Sequence, residues 1–404
     1  MKRRLPRPNA VLPLIGAPDL RTSPLQRRLS RCATVMDVRA VARRRVPRAV
    51  FDYVDGAAMS GTSLRRSRDA FRRVEFTPRV LRDVSTVDTR VEVLGATNAL
   101  PFLLAPTGFT RMMNAAGEPA VARVAAERGI AYGLSTLGTT SIEDLAAAVP
   151  ECRRWFQLYV SRDREIAADL MHRAQAAGCD TLILTVDTAV GGIRPREVRH
   201  GLTIPPRLHL GTLADMATHP SWWFDALTTE PLAFANLTST SGPVGDLLTR
   251  MFDPTVTLAD IPWIREHWQG SLVVKGIQSV ADAELATEAG VDGIVLSNHG
   301  GRQLDMGAAP LELLPDVAAR VGERVEVYVD GGVMSGADVV AAVALGARGV
   351  LIGRAYLYGL MAGGEAGVAR VVDILEKEVR VTMQLLGAPT ISDVRQAQVR
   401  LRPV

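Results

Sequence analysis

The stretch Gly293-Ile294-Val295-Leu296-Ser297-Asn298-His299-Gly300-Gly301-Arg302-Gln303-Leu304-Asp305 decides the reading of this chain. Its first four residues are apolar and rich in β-branched side chains, which predicts a buried strand. The strand then delivers a histidine and an arginine three residues apart, with two glycines between them. An imidazole can take a proton near neutral pH, and a guanidinium can grip a carboxylate through two parallel hydrogen bonds. The glycines let the backbone turn sharply and let a flat ligand come close. That combination suits removal of hydrogen from the carbon beside a carboxylate. Alone, the nonapeptide 297–305 reads more readily as a loop histidine and a solvated arginine.

Its neighbours change that balance. From residue 100 onward, short apolar runs alternate with alanine-rich helical stretches, the mark of βα units and a parallel sheet. The runs are 102–105, 130–134, 155–160, 181–186, 272–275, 293–296, 325–329 and 349–352. Eight of them predict an α/β fold, a (β/α)8 TIM barrel, preceded by an N-terminal helical segment and carrying a long insertion after strand 4. In chain order their C-terminal ends present Pro106-Thr107-Gly108, Ser135-Thr136, Gln157 with Tyr159, then Thr185 with Asp187. The later four give Lys275; Ser297 with His299 and Arg302; Asp330-Gly331-Gly332; and Gly353-Arg354. Active sites in this fold are built at that face. A merely structural barrel has no reason to end every strand this way.

Two of these ends suggest a phosphate. Gly331 and Gly332 after the seventh run and Gly353 with Arg354 after the eighth sit where such barrels hold one, with bare N–H groups and a guanidinium. Lys275 can place an ammonium beside a developing anion, while Gln157, Thr185 and Ser135 offer hydrogen bonds to a heteroaromatic rim. The set describes flavin mononucleotide (FMN); a phosphorylated sugar or nucleotide substrate is the alternative.

The 404 residues are 47% hydrophobic and 22% charged with net charge +4, an ordinary composition for one large barrel or two smaller domains. Basic residues are spread thinly after residue 90, which argues against a nucleic-acid groove. Lysine occurs only at positions 2, 275 and 377, so Lys275 at a strand end stands out. Cys32, Cys152 and Cys179 lack metal-type spacing and read as buried thiols in a reducing compartment, so no metal site is expected. No apolar run is long enough to span a membrane. Lys2-Arg3-Arg4 precede a stretch, 10–17, that Pro13 breaks and that is too short for a secretion signal. Residues 1–30 read as a basic, irregular arm and 31–404 as the barrel domain, with 205–255 inserted. Before the barrel, Thr34 and Asp37 form a cap signal for a helix running to Arg43.

The chain resembles the FMN-dependent L-2-hydroxy acid dehydrogenases and oxidases, the family of glycolate oxidase, lactate oxidase, mandelate dehydrogenase and the quinone-linked L-lactate dehydrogenases. The likeness runs from about Thr34 to the C-terminus. It is carried by Phe51-Asp52-Tyr53, Ala105-Pro106-Thr107-Gly108, Phe156-Gln157-Leu158-Tyr159, Thr185-Val186-Asp187, Val274-Lys275-Gly276, residues 297–305, Asp330-Gly331-Gly332 and Ile352-Gly353-Arg354. Among subgroups it most resembles the bacterial L-lactate dehydrogenases.

The resemblance implies roles. His299 is the base and Asp187 steadies its imidazolium. Arg302 clamps the substrate carboxylate, with Arg194 as a second arginine. Tyr53 and Tyr159 bind substrate oxygens, and Lys275 stabilises negative charge on reduced flavin. Pro106, Thr107, Gly108, Ser135, Gln157, Thr185, Lys275, Ser297, Asp330, Gly331, Gly332, Gly353 and Arg354 hold FMN. The implied reaction is oxidation of an (S)-2-hydroxy acid, L-lactate first, to the 2-keto acid, with electrons passed to a quinone or similar acceptor. The alternative is an oxygen-using oxidase of a bulkier aryl or biosynthetic hydroxy acid. Relatives are commonly tetramers, so a homo-oligomer is implied. The implied location is the cytoplasm, with peripheral attachment to the inner face of the membrane as an option.

Three positions depart from the pattern. Met334 stands where many members have an arginine two residues after the double glycine, so either flavin binds more weakly or a neighbouring arginine compensates. Leu137 replaces the pocket tryptophan of glycolate oxidases, and Ala57-Ala58-Met59 replaces acidic residues, with no functional account. Gly108 is commoner in dehydrogenases, whereas oxidases often have alanine there. The 205–255 insertion carries His219-Pro220-Ser221-Trp222-Trp223-Phe224 and Leu232-Ala233-Phe234. Three adjacent aromatics on a loop suit a membrane interface; they suit equally a cover over the active site or a subunit contact.

Overall fold

A computed structural model describes residues 23–201, 209–237 and 252–403. Eight strands close into a parallel barrel in chain order: β1 (Phe102–Leu104), β2 (Tyr132–Ser135), β3 (Arg154–Leu158), β4 (Thr181–Thr185), β5 (Ser271–Ile277), β6 (Gly293–Leu296), β7 (Glu326–Asp330) and β8 (Gly349–Ile352). β8 pairs back onto β1 through Val350–Phe102 and Ile352–Leu104, which leaves the barrel without an edge. The continuous apolar runs have a simple cause: strands covered by helices outside and side chains inside are buried on both faces. Phe102, Tyr132, Trp155, Phe156 and Tyr328 are all buried, and Trp155 meets Tyr328 edge to face at 5.9 Å.

One irregularity shapes the mouth. The β5–β6 register slips between Lys275 and Ile277. Gly276, at φ +111°, passes so close to Asp187 that a Cβ there would lie 2.8 Å from the aspartate's Cβ. Glycine is required by both the backbone angle and the contact, and the slip brings Lys275 and Asp187 to the same end of the barrel.

Before the barrel lie helices Pro24–Ser30, Val35–Arg45, Arg48–Asp55 and Thr62–Arg72. Thr34 and Asp37 form the expected capping box, and the helix they start extends to Arg45. Pro47 then resets the chain direction, and Arg48–Asp55 carries Tyr53 to the barrel mouth. The buried face Val35, Val38 and Ala42 packs on the helical segment Arg354–Leu386, which a kink at Gly363 and Gly364 divides in two. At the C-terminus, Gln398–Leu401 pairs antiparallel with Val74–Thr77.

Two expectations need correction. The arm expected to be irregular through residue 30 is helical from Pro24, capped by a Ser23–Gln26 box and anchored by buried Leu29; residues 1–22 lie outside the described residues. The aromatics expected on a loop lie on a helix, Pro220–Thr228, beside a second one, Leu210–Ala217. Of the inserted segment, residues 202–208 and 238–251 lie outside the described residues.

Candidate active site

All the expected site residues except Asp187 and Ser297 line a single cavity of about 1670 Å³ at the C-terminal face of the barrel. Those two sit directly behind it, in contact with His299 and Lys275. Nearly every chemical group the strand ends were expected to present is therefore brought to one place.

Its centre is the turn after β6. Asn298 organises it: the side chain accepts from the Gly301 N–H at 3.0 Å and donates to Ser67 Oγ at 3.0 Å. His299 is held at φ +55°, a strained angle for a residue with a Cβ, and its own N–H donates to Ser297 Oγ. In this conformation Nδ1 of the imidazole lies 3.0 Å from Asp187 Oδ1. Nε2 is left for the cavity. The Asp187 side chain is only 1% exposed. Burial alone would raise its pKa, but the pairing with His299 and, after it, the Lys275 ammonium outweigh burial and hold it below the usual carboxylate range.

Lys275, from β5, lies 3.0 Å from Asp330 Oδ2 and donates to Ser297 Oγ at 2.9 Å. Burial disfavours the ammonium; Asp330 and Asp187 reverse that and hold its pKa above the ordinary lysine value. A permanent cation is fixed at the barrel's centre.

Opposite stands an anion clamp. Arg302 is pinned by donation to the Tyr53 carbonyl and lies over the Tyr53 ring, 4.8 Å from its centroid. Arg194 follows β4 and donates through Nε to the Arg302 carbonyl at 3.4 Å. Burial first, and Arg194 second, lower the Arg302 pKa. Tyr159 packs edge to face on Phe252 at 5.2 Å, and burial, reinforced by Asp187, raises the pKa of its phenol, so it stays protonated.

Buried polar atoms without partners say what else the cavity fits. Gln157 Nε2 and Thr185 Oγ1 have no hydrogen-bond partner among the described residues, although Gln157 Oε1 is fixed by Ser135 Oγ at 2.9 Å. Such groups are costly unless a ligand satisfies them. Gly331 and Gly332, at φ +85° and +86°, turn the backbone at the other end, where a Cβ on Gly332 would strike Ser67 and Arg68. Gly353 adds bare backbone beside them. Pro106, Thr107 and Gly108 line the opposite wall; Thr107 bonds Tyr356, and a Cβ on Gly108 would lie 3.1 Å from Leu137. Donors along a rim, a buried cation and a glycine-lined end fit a flavin ring with its phosphate.

Arg354 is less available than expected. Its three guanidinium nitrogens donate to the carbonyls of Val54, Gly300 and Gly56 at 2.7–2.8 Å. Two of its five N–H groups remain. Near Met334, Arg68 donates to the Gly332 carbonyl at 2.8 Å and pairs with Asp338, and it lines the cavity with Arg65. Sequence reading also missed Glu197, which lies between Arg194 and Arg302.

Comparisons with known proteins agree with this geometry. The pattern of the FMN-dependent dehydrogenase family matches residues 42–401. A Mycobacterium tuberculosis protein named "Putative L-lactate dehydrogenase" is 53% identical over all of this chain and 99% of its own. An L-lactate dehydrogenase of Caulobacter vibrioides is 42% identical over 90% of this chain and 96% of its own. Among solved structures, a monotopic membrane protein, (S)-mandelate dehydrogenase, superposes with TM-score 0.88 and 37% identity, covering 92% of this chain and 100% of that one. Mandelate oxidase gives 0.81 and 37% over the same shares. With its barrel, its cofactor cradle and its histidine–arginine turn, the chain belongs to the FMN-dependent dehydrogenase family.

Proposed function

We propose that this FMN-dependent L-2-hydroxy acid dehydrogenase oxidises L-lactate to pyruvate and passes the electrons to a quinone or similar carrier. The observation that carries the reading is the buried Asp187–His299 pair in the same cavity as the Arg302–Arg194 clamp. A base and a carboxylate grip at one mouth suit a hydrogen on the carbon between them. The names of the lactate-oxidising relatives support the substrate.

In this reading Arg302 and Arg194 take the substrate carboxylate, and Tyr53 orients it. Tyr159, protonated, donates to the substrate's second oxygen. His299 Nε2 receives a proton during oxidation. Asp187, an ionised carboxylate accepting from Nδ1–H, fixes the tautomer and balances the imidazolium that forms, as carboxylates do in catalytic triads. When bound, FMN would supply the two-electron acceptor that the oxidation needs. Lys275 would keep a cation beside its ring, and Gln157, Thr185 and Ser135 would hold its polar rim. The amides of Gly331, Gly332 and Gly353 would receive the phosphate, with Arg354 and, in place of the residue that Met334 replaces, Arg68.

The visible spectrum of the purified protein under anaerobic conditions tests this. L-lactate should bleach a flavin band and D-lactate should not. A reduced form that reoxidises rapidly in air supports the second reading, an oxygen-using oxidase, and a yellow protein that bleaches only with mandelate-like acids moves the substrate to a bulkier hydroxy acid.

Membrane contact and assembly belong to the same proposal. No helix among the described residues is long and apolar enough to cross a membrane. The two inserted helices nonetheless present Leu210, Leu213, Trp223, Phe224 and Leu227 to solvent, Leu210 at 86% and Phe224 at 59% exposure. Trp222 instead faces inward and donates to the Met112 carbonyl at 2.8 Å. An outward apolar stripe of this kind supports peripheral seating on the inner face of the membrane. Pelleting with anionic liposomes at low and high salt checks it; absence of binding in both removes the idea. The homo-oligomer is to be checked by light scattering.

A further inference from the structure

The clamp is not empty of negative charge. Glu197, on the short helix Pro195–Arg199, places Oε1 3.0 Å from Arg302 Nη2 and Oε2 3.2 Å from Arg194 Nη1. All three side chains are largely shielded from water. The helix is itself tied to the one that carries Tyr53: Arg196 reaches Asp52 and Asp55 at 3.4 and 3.3 Å, and His200 Nε2 lies 2.8 Å from Asp52 Oδ2. Glu197 is therefore held where an incoming carboxylate would seek the same two guanidiniums.

We propose that Glu197 is the specificity-determining residue of the clamp, an internal carboxylate that sets its charge so that ligands with one carboxylate are accepted and those with two are disfavoured. The inference rests on the reading of Arg302 and Arg194 as the carboxylate site. Two guanidiniums and one glutamate leave a single net positive charge, matched by a monoanion. A dianion overcompensates it, and its second charge also lies within the field of the Glu197 carboxylate. Glu197 also keeps Arg302 and Arg194 from repelling each other before a ligand arrives, so it positions both. Arginines at this site retain N–H groups that Glu197 does not use, which lets a monocarboxylate bind beside it.

The test is calorimetric titration of the FMN-loaded protein with pyruvate, a monoanion, and oxalate, a dianion, for the native enzyme, Glu197→Gln and Glu197→Asp. At a separation of about 6 Å and an effective dielectric of about 40, one removed charge is worth about tenfold per ligand charge. Glu197→Gln should therefore tighten pyruvate about tenfold and oxalate about a hundredfold, shifting their affinity ratio about tenfold; Glu197→Asp should restore the native ratio. A purely structural role would loosen both ligands together, and that result, or a ratio unchanged within threefold, overturns the proposal while leaving the clamp intact. Native enzyme that binds neither anion overturns the clamp itself and this inference with it. The flavin spectrum of each variant establishes that the barrel has folded.

Discussion

Replacing Asp187 by asparagine isolates one charge. The residue is isosteric, buried, and hydrogen-bonded to His299 at 3.0 Å. Only the negative charge opposite the developing imidazolium is lost. Two unit charges about 4 Å apart interact by about 4 kcal/mol at an effective dielectric of about 20. The His299 side chain is 25% exposed, so water screens part of this, and about 2 kcal/mol is a reasonable lower bound. A barrier raised by about 2–4 kcal/mol slows the step about thirtyfold to a thousandfold. An asparagine can also present its amide to Nδ1 and favour the wrong tautomer, which pushes the loss toward the upper end. The assay is anaerobic stopped-flow: mix FMN-loaded enzyme with L-lactate and follow bleaching of the flavin band. The limiting rate should fall while the apparent substrate affinity, set by the arginine clamp, changes little. Deuterium at the substrate's C2 should slow the variant at least as much as the native enzyme, because the chemical step has become slower. A limiting rate within threefold of native would refute the electrostatic argument. So would a loss confined to substrate affinity.

Three further outcomes follow from particular contacts. Arg68→Leu removes the guanidinium beside Gly332 and should weaken FMN binding about tenfold to a hundredfold, the worth of a charge-assisted hydrogen bond; flavin fluorescence reads it, and adding Met334→Arg should recover part of the loss. Leu29→Ala empties the contact between the first helix and Gly363, where Leu29 Cδ1 would lie 2.9 Å from a Cβ on that glycine, and should destabilise the fold by about 2–4 kcal/mol in denaturant titration. Cys152 and Cys179, whose pKa values burial pushes up to about 12, should resist a thiol reagent at pH 8 and react only after unfolding, because the thiolate is the reactive form.

The barrel was legible because a parallel sheet buried on both faces writes itself as bare apolar runs, and the run 293–296 matches its strand residue for residue. Ends were less legible. The strand expected from Ile130 begins at Tyr132, and β5 runs on through Gly276 to Ile277, because the register slip there depends on a neighbour, Asp187, far away in the chain. Two helix starts do carry local signals: Ser23-Pro24-Leu25-Gln26 is a capping box with proline in the first turn, and Pro220 stands in the first turn of the aromatic helix, without a side-chain cap from His219. The site divides along a similar line. Strand ends converge by the geometry of the fold, so His299, Lys275 and Gln157 could be read from position alone. Glu197 and Arg68 could not, because their meaning lies in partners 105 and 264 residues away. A carboxylate three residues after Arg194 looks like a helical ion pair until Arg302 closes on its other side. The fold's periodicity reveals which residues reach the mouth, but only the tertiary contacts reveal how much of their charge is already neutralised there. That remainder, not the number of arginines, sets which anion the site will hold.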